Sequence, residues 1–123
     1  MILSAQDQIR KAVTEWEGVE VMPHRFGGME FRYGRRELGH IHGDSLADLP
    51  FPMNIRNQLI RRGIAKPHHI LPKSGWVSIP LNSSEDIKTV IDLFRRSWEL
   101  ARDSAQSAGG RIESVEGGEL QKK

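Results

Sequence analysis

The chain has 123 residues, which is enough for one hydrophobic core but too few for two, so a single domain is predicted. With 37% hydrophobic and 28% charged residues, the composition lies in the globular range and excludes a wholly disordered chain. The absence of cysteine excludes disulfides, thiolate metal ligands and cysteine nucleophiles. Residues 24–73 carry a net charge of +5 and all five histidines, whereas the rest carries −3. We therefore expect any binding site in this basic, histidine-rich middle.

The first part of the chain predicts a helix and a short strand. Apolar residues recur at helical spacing over residues 4–17, and Ser4 is the expected N-cap. Residues 19–22 alternate in polarity and favour a strand that ends at Pro23. The N-terminal residues contain neither a basic segment nor an apolar stretch of signal-peptide or membrane-span length, so a cytoplasmic location without membrane contact is expected.

A β-hairpin is predicted next. Residues 29–33 alternate apolar with charged side chains, and a Gly-Arg turn leads into a second strand over residues 36–42. Side chains alternate across a strand, so His40 and His42 are expected as neighbours on one face and Glu37 on the other.

Two helices and one strand are predicted in the second half. A short helix covers residues 53–62, a strand covers residues 76–80, and a long amphipathic helix begins at Ser83 and ends near Ser104. The last residues are too poor in apolar side chains to bury a face. The prediction is an α+β fold with a small antiparallel sheet of about four strands and helices mainly on one face. The single domain covers residues 1–106, and residues 107–123 form a flexible C-terminal tail.

Five segments of the chain carry a resemblance to a known family. They are PHRFGG (23–28), EFR (30–32), RELGHIHGD (36–44), PHH (67–69) and SGWVS (74–78). As a set they resemble a family of small uncharacterised proteins labelled "luciferase domain", over about residues 16–100. This resemblance implies no particular catalytic residue, and its label does not imply light emission. The order of hairpin, short helix, Trp-containing strand and long helix is also similar to the YjbR/MmcQ-like fold, for which a DNA-binding role is proposed.

The leading functional hypothesis is a binding module that recognises an anionic partner, with nucleic acid as the first candidate. Basic side chains would contact phosphates, and Phe26, Tyr33, Phe51 or Trp76 would offer stacking faces. The alternative is an ordinary solvated surface, with Arg61 and Arg62 placed at a helix C-terminus. A surface that meets another protein is a third hypothesis. The candidate anion-binding residues are Arg25, Arg32, Arg35, Arg36, Arg61, Arg62 and Lys66.

The competing hypothesis is a small-molecule pocket, catalytic or not, that uses clustered histidines for acid–base or metal-assisted chemistry. No cofactor or metal is predicted, although His40 and His42 are the candidate ligands if an ion binds. No nucleophile motif, P-loop or dinucleotide fingerprint is present. Asp48, before Pro50, is interpreted as a turn residue. The candidate pocket residues are His24, His40, His42, Asp44, His68 and His69.

Overall fold

Three helices and six strands form an α+β fold in the part of the chain that the structure describes. This structure is a computed structural model that describes residues 3–24 and 27–117, with side chains up to residue 106. The helices are α1 (Ala5–Val13), α2 (Met53–Arg61) and α3 (Ser84–Gly117). The strands are β1 (Val19–Pro23), β2 (Met29–Tyr33), β3 (Arg36–His42), β4 (Leu46–Pro50), β5 (Lys66–Pro67) and β6 (Trp76–Pro80). None of the described helices is long and apolar enough to cross a membrane.

The strands form one antiparallel sheet in the order β1-β2-β3-β4-β6-β5. The α+β class and the three helices agree with the sequence-based expectation, but the sheet has six strands and not about four. The two strands that were not predicted are β4 and β5. Asp48 and Pro50 are residues that strands usually avoid, and β5 has only two residues, so the local strand signal is weak in β4 and absent in β5.

One face of the sheet packs on α3, which also packs against α1, and buried residues of all three form one continuous apolar core. Phe31 and Phe94 meet edge to face with ring centroids 5.2 Å apart, and both side chains are fully buried. Gly39 lies on this same face, because a Cβ at that position would be only 2.8 Å from the Phe94 ring. The backbone of β3 therefore approaches α3 closely at Gly39, and neighbouring His40 projects from the opposite face.

A β-bulge in β3 changes which side chains face the histidines. Phe31 pairs with Gly39 and Arg32 pairs with Glu37, so β3 has one residue more than β2 at this point. The extra residue reverses the alternation. Glu37 consequently lies on the same face as His40, which corrects the prediction that it occupies the other face.

Helix α1 begins where predicted, whereas α3 ends later than predicted. Ser4 is the N-cap of α1 as expected, and its Oγ accepts a hydrogen bond from the Asp7 backbone N–H at 3.1 Å. Helix α3 continues to Gly117, beyond the predicted end near Ser104. Side chains after residue 106 lie outside the described part, so the domain limit at 106 and the flexible tail stay predictions.

Candidate functional site

A row of polar side chains crosses the sheet on the face turned away from α3. Glu30 pairs with His40 across β2 and β3, His40 pairs with Asp48 across β3 and β4, and Asp48 pairs with Ser78 across β4 and β6. Directly opposed residues of an antiparallel sheet project from the same face. These side chains therefore form one continuous polar surface, the floor, on this face of the sheet.

Above this floor lies a cleft of about 530 Å³, a volume typical of small-molecule sites. All five histidines of the chain line it, together with Asp48. Its rim carries two apolar side chains, Ile70 and Leu71, which are 70% and 49% exposed. The ring of Trp76 lies 5.2 Å from that of His40 and adds an apolar surface beside the floor. We call this feature the histidine cleft.

The Asp48 carboxylate is the centre of the floor and is fully buried. Its Oδ2 lies 3.2 Å from His40 Nε2, 3.0 Å from His42 Nε2 and 3.5 Å from His68 Nε2. The Ser78 hydroxyl donates to its Oδ1 at 2.6 Å. Burial alone raises the pKa of Asp48, but the hydrogen bonds from His40, Ser78 and His42 outweigh it and hold that pKa well below its ordinary range.

His40 lies between two carboxylates. Its Nδ1 is 2.6 Å from Glu37 Oε2, while its Nε2 faces Asp48. Burial disfavours the imidazolium, but hydrogen bonds to Asp48 and Glu37 outweigh burial and raise the pKa of His40 to about 9. His40 is therefore charged at neutral pH, and its ring stacks on that of His24 at a centroid distance of 4.1 Å.

His68 is held in one tautomer by its own loop. Its Nδ1 accepts hydrogen bonds from the backbone N–H groups of Ile70 and Leu71, both at 3.2 Å. The ring hydrogen must then be on Nε2, the atom that faces Asp48. His69 stacks on His68 with ring centroids 4.7 Å apart. The same interactions that orient His68 thus position the rim residues of the cleft.

Glu30 anchors the far end of the polar row. The His24 Nδ1–H donates to Glu30 Oε1 at 2.9 Å, and Arg32 forms an ion pair with the other carboxylate oxygen. Burial raises the pKa of Glu30, but the bonds from His24 and Arg32 outweigh it and lower that pKa below its ordinary value of 4.5. Arg32, a candidate anion-binding residue, is thus engaged in an ion pair within the protein.

Replacing Glu30 by glutamine is expected to lower the free energy of unfolding by about 1 to 2 kcal/mol at pH 7. A folded pKa below the unfolded value stabilises the protein above pH 4.5, and this contribution is lost as pH falls through the folded pKa. The variant should therefore lose less stability than the wild type between pH 6 and about pH 3, as measured by urea denaturation. Glu85→Gln, at an exposed helix start, is the control. Equal acid sensitivity of wild type and Glu30→Gln contradicts this assignment.

Other predicted site residues lie elsewhere. Asp44 is exposed, and its Oδ1 accepts from the Gln6 backbone N–H at 2.9 Å, so it links the β3–β4 turn to α1 and does not line the cleft. Phe51, considered as a stacking face, is buried in the core. The carboxylate of the cleft is instead that of Asp48, whose interpretation as a turn residue is wrong because it lies within β4. Alternation of Asp48 with apolar Ala47 and Leu49 was the sequence signal for this strand.

The predicted anion-binding residues fall into separate groups. Arg25 lies outside the described residues. Arg35 and Arg36 lie at the β2–β3 turn. Arg61 is the last residue of α2, Arg62 is its C-cap, and Lys66 lies in β5. Strands β4 and β6 separate β3 from β5, a distance of roughly 14 Å for three strand spacings. A single basic face built from these residues stays a prediction.

Comparisons with known proteins identify a family. The similarity to the YjbR/MmcQ-like fold stays a prediction, since a search of curated proteins and a search of solved structures each returned no match. A family model described as "Luciferase domain" matches residues 35–97, which is more than half of the chain. The matched range contains β4, α2 and β6 in full and four of the five cleft histidines. The protein belongs to the Luciferase domain family.

Proposed function

We propose that this protein binds a small acidic molecule in the histidine cleft and promotes proton transfer to or from it. The observation that carries the proposal is the convergence of all five histidines on one cleft of about 530 Å³. Imidazole exchanges protons near neutral pH and both donates and accepts hydrogen bonds. A cleft lined by several imidazoles therefore suits a molecule whose oxygen atoms gain or lose a proton.

The walls of the cleft support a molecule that also has an apolar part. Ile70 and Leu71 expose their side chains at the rim, and Trp76 borders the floor. Polar groups at the base with apolar walls above are the usual composition of a small-molecule site. The acidic group would lie toward the histidines, and the apolar part would contact the rim.

The alternative hypothesis is that the protein binds an anionic partner such as nucleic acid, and it can be tested separately. Fluorescence anisotropy with labelled single-stranded and duplex oligonucleotides measures it at low and physiological salt. Binding that weakens steeply with salt and disappears on charge reversal of Arg35 and Arg36 supports that hypothesis. The histidine cleft is preferred because its side chains meet in one place.

Benzoate is expected to bind in the cleft of EDTA-treated protein in a nitrogen-15 NMR titration. The largest shifts should belong to the amides of residues 40–42 and 68–71, because these segments border the cleft. Benzyl alcohol lacks the acidic group and should bind more weakly by about tenfold, the usual value of a charge-assisted hydrogen bond. Absence of any shift at millimolar benzoate, or shifts confined to other surfaces, contradicts the proposal.

A matched pair of variants tests the apolar wall. Leu71→Ala should weaken benzoate binding about fivefold, because part of one leucine side chain no longer covers the ligand. Leu3→Ala changes a leucine of similar exposure, 43%, beside α1 and should leave benzoate binding unchanged. Equal effects of the two substitutions would place the ligand outside the cleft.

A further inference from the structure

We propose that a divalent transition-metal ion binds at the floor of the histidine cleft, held by His40 Nε2, His42 Nε2 and Asp48 Oδ2. This inference deepens the proposed function and rests on the same cleft. We call these three residues the metal triad. It departs from the sequence-based expectation, in which no metal is predicted and Asp48 is a turn residue.

The distances within the metal triad are those of ligands around one ion. The three ligand atoms all lie within 4.8 Å of one another. The two nitrogen-to-oxygen distances are 3.2 Å for His40 and 3.0 Å for His42. Ligand atoms about 2.1 Å from a tetrahedral ion are about 3.4 Å apart. The two nitrogen-to-oxygen distances are therefore within a few tenths of an ångström of the values around an ion, and the two nitrogens lie within 4.8 Å of each other.

The sheet itself places the three ligands. His40 and His42 are two residues apart on β3 and share a face, with ring centroids 4.9 Å apart. Asp48 is the direct cross-strand partner of His40 on β4. Ligands on paired strands of a sheet are held more rigidly than ligands on loops, which favours a defined coordination geometry.

Two further side chains orient the metal triad through hydrogen bonds to ligand-residue atoms that face away from the ion position. Glu37 Oε2 accepts from His40 Nδ1–H at 2.6 Å, which leaves His40 Nε2 directed at the ion position. Ser78 holds Asp48 Oδ1, which leaves Oδ2 for the ion. A carboxylate on the far nitrogen of a ligating histidine is the usual outer partner in metalloproteins. Glu37 reaches this position only because of the β3 bulge.

The remaining histidines have other roles. His68 Nδ1 accepts two backbone hydrogen bonds, so its Nε2 carries a hydrogen and has no lone pair for an ion. It is placed instead to donate to Asp48 or to a molecule bound on the ion. His24, Glu37 and His40 form a second possible ligand group, but an ion there would displace the Glu37 contact to His40 Nδ1.

The donor set indicates the class of ion. Two imidazole nitrogens and one carboxylate oxygen suit Zn²⁺, Fe²⁺, Co²⁺ or Mn²⁺, whereas Ca²⁺ and Mg²⁺ prefer oxygen ligands alone. Three protein ligands leave at least one position open, as in catalytic metal sites. The three ligand residues line the cleft, so an acidic oxygen of a molecule bound there would be close enough to coordinate the ion.

Zinc titration of EDTA-treated protein tests the inference by calorimetry, with Co²⁺ visible absorption as a second readout. One Zn²⁺ per chain is expected. His42→Gln should weaken binding by at least about 30-fold, because one of three ligands is lost. Glu37→Gln should weaken it by about 10-fold through His40 orientation. The His42 side chain is 34% exposed, so His42→Gln should fold, and circular dichroism checks this.

His69→Gln is the matched control, because it changes a cleft histidine outside the metal triad. Its zinc affinity should stay within about threefold of wild type. Failure of the wild type to bind Zn²⁺ more tightly than His42→Gln overturns the inference, as does an equal loss in His69→Gln. The benzoate titration uses metal-free protein, so its result is independent. Benzoate binding without zinc binding overturns only the metal site, and zinc binding without benzoate binding contradicts only the proposed function.

Discussion

Replacing Gly39 by alanine is expected to lower the free energy of unfolding by about 2 to 4 kcal/mol. A Cβ at this position would lie 2.8 Å from Phe94 Cε1, 2.9 Å from the Asp48 carbonyl oxygen and 2.9 Å from Leu49 Cγ. The Phe94 ring is fully buried and the Asp48 oxygen belongs to a paired strand, so neither neighbour can move freely. Urea denaturation followed by tryptophan fluorescence measures the loss.

Gly34→Ala shows what a positive-φ alanine costs where there is no crowding, since both Gly34 and Gly39 have a positive φ. Gly34 has a φ of 63°, and a Cβ there would meet nothing within 4 Å, so only the cost of a left-handed alanine of about 1 kcal/mol is expected. The difference between the two variants reports the crowding at Gly39 together with the additional strain of its φ of 153°, which alanine adopts even less readily. Equal costs at Gly39 and Gly34 contradict the close approach described for β3.

The elements that the sequence predicted are those whose pattern is local. The spacing of apolar residues in α1, α2 and α3 and the alternation in β2 and β3 depend on neighbours a few positions away. Strand β4 carries the same alternation over Ala47, Asp48 and Leu49, but it is short and ends at Pro50. Because of Pro50 and Pro52, this segment was predicted to be a loop that leads into α2. In the folded chain Pro50 is the last residue of the strand and lies beyond the pairing of β4 with β3, which ends at Asp48, so its missing N–H interrupts no pairing on that side.

The candidate site, like the fold, was predictable only where its residues are neighbours in the sequence. His40 and His42 were expected as neighbours because their spacing of two residues fixes a shared face on any strand. The positions of Glu37 and Asp48 depend on non-local pairing. Glu37 reaches His40 through a bulge that only the register of β2 against β3 reveals, and Asp48 reaches it through the pairing of β4 with β3. The residues around Glu37 do not themselves indicate a bulge and favour a simple alternating strand. The residues around Asp48 favour a turn over a strand that pairs with β3.

Replacing Asp48 by asparagine is expected to lower the free energy of unfolding of the metal-free protein by about 3 to 5 kcal/mol at pH 7, the usual cost of removing one partner from a buried charge pair. The substitution leaves the His40 imidazolium with Glu37 as its remaining carboxylate partner. It also replaces the acceptor of the Ser78 hydroxyl. Asp44→Asn makes the same change at an exposed carboxylate that accepts a backbone hydrogen bond, and should cost about 1 kcal/mol or less.

The pH dependence of stability identifies the origin of that loss. A folded pKa of about 9 for His40, above the unfolded value of 6.5, stabilises the protein fully below pH 6.5, and this contribution is lost as pH rises through 9. The raised pKa corresponds to about 3 kcal/mol, so wild-type stability should fall by up to that amount between pH 6.5 and 9.5 in EDTA. In Asp48→Asn the fall should be much smaller, because the main hydrogen-bond partner of the imidazolium is gone, whereas Asp44→Asn should follow the wild type. An unchanged fall in Asp48→Asn would mean that the Asp48 carboxylate does not hold the His40 proton, and the charged centre of the histidine cleft would have to be assigned to Glu37 alone.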